Sequence, residues 1–200
     1  MLALDPNDPN QACLMAGGDC INQVVQDAVL GFEGELKGFK STIPSIVDRI
    51  SKAHDLHPHF VWWVLFRPKQ WPPMSSKDRN LLMVAQQVFE ASGAWRPGSL
   101  NPFTGNPGWT IPSDLKQVDG MFKDLLKVLR TELMRPLLRK WVKTVQKAVR
   151  KIQGKCEEVF NVPCTREEAA DLFYGDLNRM VLYNRMPGRH PNLIHTMLDL

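Results

Sequence analysis

Between Leu138 and Ile152 the chain separates its side chains by chemistry. Leu138, Trp141, Val145, Ala148, Val149 and Ile152 share one side of a 3.6-residue helix, and Arg139, Lys140, Lys143, Lys147, Arg150 and Lys151 share the other. Such a helix has one side made for a protein core and one side that stays in water. A fold built on it needs other elements against the apolar side, and it presents a basic stripe outward.

The stripe belongs to a wider charge asymmetry. Residues 116–155 hold twelve Lys/Arg against three Asp/Glu, a balance of +9, while the rest of the chain stands at −5. The formal net charge of +4 hides this polarity. No acidic residue falls between Leu133 and Cys156, whereas a merely solvating helix mixes signs for i,i+4 pairing. A basic stripe attracts polyanions: nucleic acid, an anionic membrane surface or an acidic protein face. The alternative is a solvated face whose aliphatic stems cover apolar neighbours.

Other segments also read as helical. Residues 1–18 form an irregular arm, with Asp5-Pro6-Asn7-Asp8-Pro9-Asn10 as repeated turn chemistry. The N-terminal helical half covers 19–93. Its first helix, from about Asp19, carries Ile21, Val24, Val25, Ala28 and Phe32, and Gly31, Gly34 and Gly38 weaken its second half. Ser41 or Thr42 can cap a second, with Ile43, Ile46, Val47 and Ile50 as its stripe. The run Phe60–Phe66 is apolar all round and reads as a short buried helix, with Trp62 and Trp63 in the core. A further helix starts at Ser75-Ser76-Lys77-Asp78 and stops at Gly93. Residues 94–112, rich in Pro, Gly and Trp, read as a long loop, and 113–200 as a C-terminal helical half. There Pro136 kinks the basic helix or starts a new one. Thr165-Arg166-Glu167-Glu168 is a capping box for a helix running to about Met186. The fold expected is all-α, two packed helical halves joined by a long Pro/Gly-rich loop.

Signals for catalysis, metals and cofactors are weak. There is no glycine-rich phosphate loop, GxSxG or HExxH, so no catalytic residue is assigned and no cofactor is expected. His54, His57 and His59 cluster, but no Cys or carboxylate sits at matching spacing, and the turn at Pro58 should point the rings of His57 and His59 apart. No metal is expected there. Cys13, Cys20, Cys156 and Cys164 lack CxxC spacing. With no secretory signal and no apolar run long enough for a membrane span, the expected setting is reduced and intracellular, or a virion. Four cysteines still allow two disulfides. Trp71, Trp95 and Trp109 lie among Pro, Gly and Asn. They are candidates for stacking on bases or meeting a partner, and equally for pinning loops to the body.

One stretch resembles a known family. Gly175-Asp-Leu-Asn-Arg-Met-Val-Leu-Tyr-Asn-Arg-Met-Pro-Gly188 resembles a helix of orthomyxovirus matrix proteins that ends in a similar Tyr-Asn-Arg-Met turn. Pro73-Met-Ser-Ser-Lys-Asp-Arg79 leading to Val84-Ala-Gln-Gln, and the basic helix 138–151, occur in the same order as in that family. The likeness covers about a quarter of the chain, with different spacings; the arm and the 94–112 loop have no counterpart. It implies an all-helical protein that oligomerises beneath a membrane and bridges lipid to ribonucleoprotein. The family's basic helix maps onto Arg139, Lys140, Lys143 and Lys147.

The expected function is therefore a non-enzymatic, viral-type structural protein, matrix or nucleocapsid-associated. It would contact RNA or an anionic membrane surface through Arg139, Lys140, Lys143, Lys147, Arg150 and Lys151, and would form a homo-oligomer. The alternative is an adaptor or effector module whose basic face binds an acidic protein partner.

Overall fold

A computed structural model describes residues 19–93 and 112–198, and over these the chain is all-α. The helices are α1 (Asp19–Glu35), α2 (Thr42–Ala53), α3 (Pro58–Leu65), α4 (Ser76–Ala91), α5 (Leu115–Leu129), α6 (Arg135–Phe160), α7 (Arg166–Leu182) and α8 (Pro191–Leu198). Short 3₁₀ turns follow α1 (Leu36–Phe39) and α3 (Pro68–Gln70). The N-terminal arm and nearly all of the 94–112 loop lie outside the described residues.

Local signals place most of the helix ends. Ser75 Oγ accepts the Asp78 amide at the start of α4, Asp114 accepts the amides of Lys116 and Gln117 at α5, and Thr165 accepts the Glu168 amide at α7. Ser41 precedes α2 without a side-chain cap bond. At α3 the cap is a histidine: His57 Nδ1 accepts the His59 amide at 3.1 Å, and Pro58 takes the first turn, where no amide is needed. The rings of His57 and His59 stack with centroids 5.0 Å apart, rather than pointing apart as expected. The cap bond holds the His57 ring toward the His59 backbone.

Pro136 does not start a separate helix. Residues Arg130–Met134 form a π turn, in which the Arg135 amide bonds the Arg130 carbonyl five residues back. A proline ring clashes with the carbonyl four residues before it, here that of Glu132. The wider turn is a known way to re-register the hydrogen-bond ladder around such a conflict. Helical backbone therefore passes directly from α5 into α6.

The chain falls into two compact units, divided at 34/35, 138/139 and 191/192. The helices on either side of the 94–112 loop, α4 and α5, belong to the same unit, so this division does not follow the loop. In the unit made by 35–93, 112–138 and 192–198, α2 packs against α3 and α5, and α4 packs against α5 and the Leu36–Phe39 turn. Ile43, Ile46, Val47 and Ile50 of α2 are buried there, with Phe60, Val61, Val64 and Leu65 of α3. Arg49–Glu132 and His54–Asp124 tie α2 to the α5 region, each at 2.7 Å, and Arg130 pairs with Asp78 of α4.

In the unit made by 19–34 and 139–191, α1, α6 and α7 supply the core. Phe32, Trp141 and Phe173 meet as a ring cluster, with centroids 5.2 Å apart for Phe32–Trp141 and 6.1 Å for Trp141–Phe173. Ala148, Val149 and Ile152 extend the same side of α6 into the interior. The end of α7 is a Schellman stop: the Arg185 amide reaches the Met180 carbonyl at 2.7 Å, and the Asn184 amide reaches Val181. Asn184 takes the positive φ (54°) that this motif requires. The helix consequently ends at Leu182, four residues before the expected Met186. The Tyr183-Asn184-Arg185-Met186 stretch is thus a local helix terminator here.

Cys156 and Cys164 form a disulfide, with Cα atoms 6.0 Å apart, and no described cysteine is a free thiol. This corrects the expectation of reduced cysteines. The chain leaves α6, turns at Asn161 (φ 51°) and enters α7, which brings the two positions within bridging reach. No helix among the described residues is long and apolar enough to cross a membrane.

Candidate polyanion-binding face

The basic face of α6 is positioned by its opposite side. Trp141 is 2% exposed, and Ala148, Val149 and Ile152 are similarly buried, so the helix cannot rotate about its axis without losing that core. At about 100° per residue, Arg139, Lys140, Lys143, Lys147, Arg150 and Lys151 fan over an arc of about 120° opposite Trp141. From Arg139 to Lys151 the face is about 18 Å long.

Five of the six cations, Arg139, Lys143, Lys147, Arg150 and Lys151, are exposed; Lys140 is half-buried. Those five make no ion pair and no side-chain hydrogen bond among the described residues. Two of the three acidic residues earlier in the basic segment are already engaged. Asp124 is held by His54 and Glu132 by Arg49. The result is a convex field of positive charge that no acid among the described residues neutralises. The face ends at Glu157 and Glu158, both exposed, one turn beyond Gly154. Two residues assigned to the apolar side depart from that reading. Leu138 is 37% exposed and Val145 is half-buried, and Val142 beside them is 50% exposed.

The tryptophan candidates separate. Trp71 is buried, its indole Nε1 donates to the Val64 carbonyl at 2.7 Å, and the Arg79 guanidinium lies over its ring at 5.3 Å. It pins the segment after α3 to the body, the second of the two readings given for it, and its buried ring leaves little surface for a base. Trp95 and Trp109 lie outside the described residues. Trp62 and Trp63, expected in the core, are only half-buried. Trp62 meets Phe66 and Phe89, and Trp63 carries the Arg67 guanidinium 5.0 Å from its ring centroid. Sequence reading missed this Arg–Trp pair, because Arg67 lies beyond the end of α3 and no helical spacing links it to Trp63.

Among the described residues, no group of three or more His, Cys, Asp or Glu converges as a metal site would require. His54 is bonded to Asp124 and packs on Gly120, and His57 serves as a helix cap.

No family model matches the chain, and neither does any curated protein or solved structure.

Proposed function

We propose that this is a non-enzymatic structural protein that binds the phosphate groups of RNA or of an anionic membrane through the outward face of α6. The observation that carries the reading is the set of five exposed cations, Arg139, Lys143, Lys147, Arg150 and Lys151, unpaired within the described chain and fixed in direction by the buried Trp141 side. Binding of this kind is electrostatic and indifferent to base sequence, because the face makes a broad convex surface and nothing here presents a groove-reading helix. In the matrix-type role implied by the Gly175–Gly188 resemblance, the same face would meet ribonucleoprotein or lipid, and self-association would multiply the contacts.

A second reading takes support from the Cys156–Cys164 disulfide. Such bonds persist in oxidising settings, where an effector module could use the basic face on an acidic protein. Titrating the protein with single-stranded RNA and with phosphatidylserine vesicles over a salt series separates these readings. Salt-sensitive binding to either supports the proposal and identifies which phosphate surface is used. No binding to either at low salt would sink it and leave the acidic-protein reading.

A further inference from the structure

The two Arg–Trp pairs at the end of α3 have a chemistry that charge alone does not use. From Leu56 to Phe89 the chain holds four Lys/Arg (Arg67, Lys69, Lys77, Arg79) and one acid, Asp78, which is paired with Arg130. All four cations are exposed. Two of them lie over indoles: Arg67 over Trp63 at 5.0 Å and Arg79 over Trp71 at 5.3 Å. Both pairs are anchored at one point. The Val64 carbonyl accepts the Arg67 amide at 3.1 Å and the Trp71 indole N–H at 2.7 Å. The Gln86 side chain ties the neighbouring Leu65 carbonyl to α4 at 2.6 Å, so the anchor is braced from a second helix.

An arginine held over a ring has lost part of its rotamer freedom before any ligand arrives. Neither guanidinium makes an ion pair or a hydrogen bond among the described residues. A guanidinium plane stacks on a nucleobase and its N–H groups reach phosphate, which is how unpaired bases are commonly held. Duplex RNA keeps its base faces stacked internally and offers no such surface. A lipid headgroup has no aromatic plane to stack.

We propose that Arg67 and Arg79, backed by Trp63 and Trp71, form a stacking site for unpaired bases of single-stranded RNA, with Lys69 and Lys77 taking the adjacent phosphates. The site is separate from α6 and rests on the proposed function only in taking RNA as the ligand. It supplies a base-dependent component of binding that the α6 face lacks.

The test compares a 12-nucleotide oligo-uridine or oligo-adenosine strand with an abasic strand of the same phosphate number, at fixed salt. The wild-type chain should prefer the strand that carries bases by roughly tenfold or more per stacked base. The variant R67K/R79K keeps both charges but has no planes. It should lose that preference while its salt dependence and circular dichroism stay as in wild type. K143E/K147E should weaken both strands alike and keep the preference. Equal binding of the two strands by wild type, or an unchanged preference in R67K/R79K, overturns the stacking site and leaves the α6 reading standing. Failure of both strands to bind overturns both.

Discussion

Gly188 offers the sharpest check on the contact between α1 and the segment that follows α7. The Glu33 carboxylate of α1 accepts the backbone amides of Arg189 (2.9 Å) and His190 (3.4 Å), closing the chain onto itself across more than 150 residues. Gly188 sits at φ 93°, and a Cβ built there would overlap the Glu33 carboxylate. Gly188→Ala therefore carries two costs. A side chain at positive φ costs about 1–2 kcal/mol. Displacing the carboxylate loses two hydrogen bonds, together about 1–2 kcal/mol after allowing for their exposure and the long second bond. The sum is about 2–4 kcal/mol, or roughly 4–16 °C in Tm for a chain of this size. In a Glu33→Ala background the overlap is gone and those bonds are already lost, so Gly188→Ala should cost only the φ term of about 1–2 kcal/mol. Urea denaturation of wild type, both single variants and the double variant gives the coupling, expected at about 1–2 kcal/mol. Additive costs, with coupling below about 0.5 kcal/mol, would show that the carboxylate does not occupy the space beside Gly188.

Four further outcomes follow from the same unit. Replacing Cys156 and Cys164 by Ser should lower stability by about 2–3 kcal/mol, from the loop entropy of a bridge closing eight residues, read from the urea midpoint. Intact mass before and after alkylation should show that pair oxidised in the wild type. Trp141→Ala should cost about 3–5 kcal/mol, because the ring is enclosed by Phe32 and Phe173; thermal melting followed by circular dichroism measures it. Thr165→Ala should cost about 1 kcal/mol by removing the acceptor of the Glu168 amide, again from the urea midpoint.

Much of the fold was legible because it is set by near neighbours in the chain. The starts of α4 and α7 follow from Ser75 and Thr165, and the apolar stripe of α2 from Ile43, Ile46, Val47 and Ile50. The helical reading of Phe60–Phe66 also held, since α3 spans Pro58–Leu65 with Phe60, Val61, Val64 and Leu65 buried. What could not be read depends on distant partners or on backbone options that a periodic pattern does not encode. A proline inside a helix signals a kink or a new start, and the π turn that precedes Pro136 leaves no mark in hydrophobic spacing. The grouping of residues 19–34 with 139–191 is a long-range event, as is the Glu33 bond to residues 189 and 190. Cys156 and Cys164 are close in sequence, but whether they meet depends on how the turn between α6 and α7 is folded. The basic stripe was legible as a pattern. Its exposure was not, because the same spacing also fits a helix whose cations are paired by acids from other elements. Here two nearby acids, Asp124 and Glu132, are engaged by His54 and Arg49.

The most direct test of the α6 face is the salt slope of single-stranded RNA binding, measured side by side for wild type and K143E/K147E. For the α6 face taken alone, five phosphate contacts predict a log–log slope of about −3.5, a loss of roughly 100-fold in affinity between 50 and 200 mM salt. Removing two contacts predicts a slope of about −2 and a loss of roughly 20-fold over the same range, with weaker binding at every salt concentration and unchanged circular dichroism. Identical slopes and affinities for the two proteins would mean that Lys143 and Lys147 touch no phosphate, and that the basic face of α6 is not the binding surface.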